Sequence, residues 1–327
     1  MTITRNLKRI TRPVRVRLAG AASRLAGPSL APAGAVVVPQ PEGLAGGKPK
    51  FRVAIAERLN AAIVPRPDWE LRFDPRTALN RLCDISDWRN GRVLDLMVEL
   101  GYRPGIARKA WEEATCLYGL ERLGVIRPDA EIISIGAGME HSLFWLANRV
   151  RRVVATDMYG PDWGFAADDL DELARQRAPF AYPENHLEVR RMSGADLAFE
   201  PGTFDAAYTL SSIEHFGGHD VARRSVMEMG RVLRPGGVAC VVTELLLTTL
   251  PRPERFTTTE LREYLIDGVG MDLVEKEIDL RISESLLAHP INRHYETDLS
   301  ISPHIVLIDA DGHVWTSVVL FFRKPGG

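Results

Sequence analysis

Ile132-Ile133-Ser134-Ile135-Gly136-Ala137-Gly138 runs into a helix-like segment and then into Val153-Val154-Ala155-Thr156-Asp157. The first stretch is an apolar strand ending in two glycines one residue apart. The second is an apolar strand ending in an acid. A strand, a glycine turn, a helix, a strand and a carboxylate in this order form the unit with which a parallel α/β sheet binds an adenosine-containing cofactor. Gly136 and Gly138 let the backbone turn and approach a ligand with no Cβ in the way. Asp157 stands where it would accept hydrogen bonds from ribose hydroxyls. Taken alone, this unit leaves nicotinamide and sulfonium cofactors both open.

The alternation continues on both sides. Strands are expected at Glu131–Ile135, Arg152–Asp157, His186–Arg191, Phe204–Ser211 and Val238–Leu246. Helices are expected at His141–Arg151, Ala167–Arg175 and His219–Leu233, with Arg234–Gly237 as a turn. This pattern predicts an α/β, doubly wound, Rossmann-like sheet of about seven strands, mostly parallel. Near the end, His304–Asp309 and His313–Arg323 flank Ala310-Asp311-Gly312, which reads as an antiparallel hairpin. Met271–Leu280 reads as a strand and Thr257–Ile266 as a helix.

Upstream, residues 51–127 read as a helical N-terminal extension to a domain spanning 128–327. Helical spacing covers Phe51–Ala62, Thr77–Trp88, Gly91–Leu100 and, most clearly, Gly105–Leu123. Residues 1–50 are rich in Ala, Gly, Pro and Arg. Their first 41 positions hold seven Arg/Lys and no acid. The segment is expected to be a disordered basic tail, with peripheral membrane contact or organelle targeting as alternatives. Residues 281–303 are irregular and carry His289, Arg293, His294 and Tyr295. They are a candidate substrate lid.

Composition excludes several classes. A net charge of −2 over 327 residues gives no global signal for a polyanion partner. No basic stripe interleaved with aromatics marks the core, so nucleic acid is not expected as a partner. Three dispersed cysteines, Cys83, Cys116 and Cys240, lack metal-ligand spacing and fit buried thiols in a reducing, cytoplasmic compartment. No apolar run reaches transmembrane length.

Four landmarks in order resemble class I S-adenosylmethionine-dependent methyltransferases. They are the glycine loop Ile132–Gly138; Asp157; the strand and turn Phe204 to Ser212-Ile213-Glu214-His215; and Glu228 through Leu233-Arg234-Pro235-Gly236-Gly237. The resemblance covers residues 105–246. More loosely, the helix around Lys109–Glu112, Ser212–Gly218 and Pro303–Lys324 are similar to bacterial methyltransferases associated with surface polysaccharide. The family resemblance implies S-adenosylmethionine as cofactor, held by Gly136, Ala137, Gly138, Asp157, Met158, Ser193, Gly194 and Ser211. It implies no resident metal, since Ser211 stands where metal-using relatives place an acid.

Three positions depart from the family pattern. Ser134 replaces an acid, Glu140 replaces a third glycine, and Ser193 replaces an acid on the adenine side.

Methyl transfer to a hydroxyl requires a base. His215 is the leading candidate, with Glu214 beside it, because imidazole titrates near neutrality; the rival reading is that the pair organises the turn. The expected reaction is O-methylation of a small molecule or glycan. Alternatives are an N- or C-methyltransferase, a methyltransferase-like protein without turnover, and an NAD(P)-dependent oxidoreductase.

Overall fold

The isoleucines at 132, 133 and 135 are buried on both faces of their strand, as a strand inside a parallel sheet covered by helices must be. A computed structural model of the chain describes residues 77–102, 106–160, 169–249, 251–283, 286–287, 290–292, 304–309 and 311–326. The tail 1–50, the helix expected at Phe51–Ala62 and the greater part of the lid at 281–303 lie outside these residues.

Among the described residues the strands are β1 (Arg81–Leu82), β2 (Glu131–Ile135), β3 (Arg152–Asp157), β4 (Leu187–Arg191), β5 (Phe204–Leu210), β6 (Leu233–Leu246), β7 (Asp272–Leu273), β8 (Ile291–Asn292), β9 (Leu307–Ile308) and β10 (Val314–Arg323). The helices are α1 (Gly91–Glu99), α2 (Arg108–Arg122), α3 (His141–Ala147), α4 (Leu170–Arg177), α5 (His219–Val232) and α6 (Thr258–Glu260). All the strands join one sheet, whose main path is β4-β3-β2-β5-β6-β10-β9-β8. The pairs from β4 through β6 are parallel. β10 runs antiparallel to β6 along nine paired positions. The doubly wound sheet and its antiparallel hairpin are thus as the sequence predicts.

Strand order reverses between β2 and β5. From β2 the chain winds outward to β3 and β4; it then returns to β5 and winds the other way. In such sheets, the crevice outside the carboxyl ends of the strands at this switch point receives the ligand. Ser212 Oγ donates to Gly136 O across it at 2.8 Å.

Several expected elements differ from those observed. The helix expected at Thr77–Trp88 is instead the short strand β1 followed by a 3-10 turn, Ile85–Arg89. Its Arg81 is drawn into the sheet edge by pairing with Val319, and its guanidinium is bound to Asp87 at 2.9 Å. Long-range pairing overrides local helical spacing here. The strand expected at Met271–Leu280 narrows to β7, and the helix from Thr257 passes from α6 into a π turn, Leu261–Ile266. The turn Arg234–Gly237 lies inside β6 as a bulge. Phe204 pairs with Leu233 and Ala206 with Val238, and Gly236 has φ +79. Its N–H reaches Lys324 O at 3.0 Å, so the bulge is pinned from the chain's far end.

Residues 77–127 share the core of the sheet. α2 packs on β5, β6 and β10. A Cβ on Gly119 of α2 would lie 2.0 Å from the Phe321 ring of β10, so glycine sets how closely this helix approaches the sheet. Trp111 is fully buried on the same helix, and its indole N–H is held by Asp87 at 2.8 Å. Cys83, Cys116 and Cys240 are buried free thiols. No helix among the described residues is long and apolar enough to cross a membrane.

Candidate active site at the strand switch point

The glycine turn leaves β2 with Gly136 at φ +67 and Gly138 at φ +48. A Cβ on Gly136 would stand 2.6 Å from Ser212 Cβ and 2.8 Å from the Phe216 ring. Both backbone angle and space therefore demand glycine. Gly194, on the loop after β4, is similarly enclosed, with Ile135 at 2.6 Å and Phe216 at 2.7 Å from an added Cβ. Phe216 thus underpins both loops. The sequence reading did not single it out, although an aromatic immediately after Glu214-His215 was its visible signal.

The structure brings Asp157 to the glycine turn. Its carboxylate accepts from Gly138 N–H at 2.9 Å and from Tyr159 N–H at 3.2 Å. A carboxylate has about four acceptor positions, so two such bonds leave room for a pair of vicinal hydroxyls. Ala137 N–H donates to Thr156 O, tying the turn to β3. Met158 follows with its side chain 58% exposed, available to pack on a flat ring. Ser193 Oγ accepts from Ala195 N–H at 3.3 Å within the neighbouring loop.

Across the switch point, Ser211 takes φ +47, unusual for a residue with a Cβ. Its hydroxyl donates to Glu112 at 2.8 Å. His215 lies just beyond, on the 3-10 turn Ile213–His215, with its side chain 30% exposed and Nδ1 4.0 Å from Glu254. Glu214 points elsewhere. It is buried, accepts from Thr243 Oγ1 at 2.9 Å, and its carboxyl is pushed up to about 8 by burial and by the nearby Glu244. The two candidates for proton transfer therefore have different surroundings: the imidazole lies near Glu254 and is partly exposed, while the carboxyl is buried against Thr243 of β6.

Beneath the crevice lies a buried ionic network. Glu244 is bound by Arg108 at 2.6 Å and by Arg255 at 2.9 Å. Burial opposes ionisation of Glu244, but these two cations outweigh it and hold the carboxyl below its ordinary range. Glu112 follows the same logic with Arg108 and Lys109. Glu113 accepts from Ser142 N–H at 2.7 Å at the start of α3 and from the Tyr102 hydroxyl. Glu140, the residue replacing a third glycine, is 9% exposed and paired with Lys109 at 2.9 Å. The four buried glutamates were not legible as one network, because they come from α2, the glycine turn and β6, and only Glu112 has its cations close by in sequence.

Residues 133–241 match the family described as methyltransferase domain. Over this stretch, about a third of the chain, the protein is similar to that family. Two curated methyltransferases are similar to part of the chain as well. The chain is 32% identical over 151 residues to a 2-phytyl-1,4-naphtoquinone methyltransferase of Trichormus variabilis, covering 44% of this chain and 59% of that protein. It is 29% identical over 155 residues to the protein of the same name from Nostoc, covering 45% and 62%. The chain therefore spans about three-fifths of the length of these relatives. Among solved structures, it is similar to a TehB-like SAM-dependent methyltransferase from Corynebacterium glutamicum, at 16% identity and TM-score 0.41, covering 73% of this chain and 94% of that one.

Proposed function

We propose that the protein is an S-adenosylmethionine-dependent methyltransferase acting on a hydroxyl of a small molecule or glycan, with His215 as general base. The observation that carries this reading is the meeting of Asp157 with the glycine turn, 2.9 Å from Gly138 N–H, where Ser212 and Phe216 of the segment carrying His215 also touch Gly136. Gly136, Ala137 and Gly138 would face the methionine end, Asp157 the ribose, and Met158, Ser193 and Gly194 the adenine. Ser211 would border the methyl.

Bound there, the cofactor supplies an electrophilic methyl on a good leaving group. The protein's part is to align the acceptor oxygen with it, exclude water and accept the hydroxyl proton. His215 suits the last task by its position on the turn after β5. Glu214 suits a positioning role, because its bond to Thr243 anchors that turn to β6.

A carbon acceptor is the second reading. Besides the names of the curated relatives, it draws on a cavity of about 1090 Å³ lined by Leu82, Leu245, Leu247, Ile278 and Leu287, among others. Leu82 belongs to β1, which pairs with β10, and the glycine turn is not part of the lining, so the cavity lies toward the β10 edge rather than above that turn. The crevice is the better site of chemistry because the glycine turn, the acid and the turn leading to His215 meet there. The cavity suits the apolar remainder of an acceptor.

Incubation with methyl-labelled cofactor and a panel of hydroxylated acceptors, read by mass spectrometry, tests the proposal. Labelled product is expected, and its loss in His215→Ala with cofactor binding retained. A His215→Ala enzyme that turns over normally removes the imidazole from the mechanism. Methyl found on carbon selects the second reading.

A further inference from the structure

Glu140 is the residue of the glycine loop least explained by the fold. It caps α3 by position only, with no side-chain bond to the helix. Oε1 is held by the Lys109 ammonium. Oε2 is buried and has no hydrogen-bond donor among the described residues. Burial pushes this carboxyl up to about 8 despite its lysine.

Charge counting points the same way. Glu112, Glu113 and Glu140 converge on the first turn of α2 and the start of α3. Of the nearby cations, Arg108 lies 3.5 Å from Glu112 but is shared with Glu244 and Ser317 Oγ. Lys109 Nζ lies 2.9 Å from Glu140, 3.4 Å from Glu112 and 3.2 Å from Leu210 O. Three carboxylates thus face two cations, one of them shared with a fourth. Lys109 itself is half-exposed, so its ammonium can serve a second anion while remaining near its carboxylates. Leu210 ends β5 and Glu140 follows the turn after β2, so the pair straddles the switch point.

We infer that Glu140 and Lys109 form a two-point clamp for a zwitterionic amino-acid group: the buried Glu140 oxygen accepts from its ammonium, and Lys109 donates to its carboxylate. The clamp rests on the proposed function, where that group is the methionine end of the cofactor. It assigns the Cβ and carboxylate at position 140 a ligand of their own where a third glycine would offer only backbone. A methionine end held this way fixes the sulfonium relative to Ser211 and the turn carrying His215.

The test is calorimetric binding of three probes to the full chain. S-adenosylhomocysteine carries both charges, its decarboxylated form S-adenosyl-3-thiopropylamine only the ammonium, and 5′-methylthioadenosine neither. Glu140→Gln is expected to weaken the first two by at least about tenfold and leave methylthioadenosine within about twofold. Lys109→Met is expected to weaken S-adenosylhomocysteine alone. Glu140→Gln is nearly isosteric, and a thermal melt of each variant separates lost folding from lost binding; Lys109→Gln replaces Lys109→Met if the latter melts early. Equal losses for all three probes, or no loss for any, overturn the clamp. If the wild-type chain binds none of them, the proposed function fails as well. If it binds all three with the same affinity, only the clamp fails.

Discussion

The two halves of the sheet are held together in different ways. From β4 to β6 the strands pair in parallel, with one register shift between β5 and β6, and β2, β3 and β5 are largely buried. Beyond β6, β10 meets three two-residue strands, β9, β1 and β7, at successive positions along its outer edge. Side chains complete what these short ladders leave open. Asn80 Oδ1 accepts from Phe321 N–H at 2.7 Å and Asn80 Nδ2 donates to Glu275 O. Asp84 accepts from Ser283 N–H at 2.7 Å. The parallel half presents a ligand crevice, which needs fixed strand ends. The β10 edge closes the sheet with clips from distant segments, which cover an otherwise open edge. Ligand binding and edge closure should therefore fail separately under mutation.

The largest expected effect lies in the parallel half. Gly136→Ala forces a Cβ into Ser212 and Phe216 at a positive φ. The expected strain of about 2–3 kcal/mol should appear as a loss of S-adenosylhomocysteine affinity on the order of a hundredfold by calorimetry. Affinity retained within threefold would mean that the turn does not bound the ligand site.

Next is a pH effect at Glu214, between the two halves. Its folded-state carboxyl sits near 8, above its ordinary value of 4.5, chiefly through burial. The folded state thus binds more protons than the unfolded one between these values. The stability from this group is full below about pH 4.5 and is lost as pH rises through 8. Thermal melts of the wild type should fall across this window, with a contribution on the order of a few kcal/mol. Glu214→Gln should flatten the decline. An unchanged slope would remove Glu214 as its source.

A smaller effect is expected at the edge. Asn80→Ala leaves Phe321 N–H without its acceptor and should cost about 1–3 kcal/mol in denaturant unfolding, with S-adenosylhomocysteine affinity unchanged. A parallel loss of affinity would break the separation between the two halves.

That separation also explains what the sequence made legible. β2 and β3 were readable to the residue, because apolar runs bounded by Gly136 and Asp157 carry a local signal. So were the hairpin around Gly312 and the buried free thiols of Cys83, Cys116 and Cys240. β1 was misread as helix, since its strand character comes from Val318 and Val319, more than 200 positions away. At the site, Gly136, Gly138 and Asp157 were legible through turn chemistry, and the structure places them together. The burial of Glu214, the support from Phe216 and the pairing of Glu140 with Lys109 depend on packing between elements remote in sequence. Lys109 in particular reads as an ordinary solvated helix residue until α2 is set over the end of β5.

The most direct test of the central claim, a cofactor crevice at the β2/β5 switch point, is calorimetric titration of S-adenosylhomocysteine into the wild-type chain and Asp157→Ala. The account predicts saturable binding to the wild type and a loss of at least about tenfold in the variant, equivalent to about 1.4 kcal/mol. Equal affinity in a folded Asp157→Ala would contradict it.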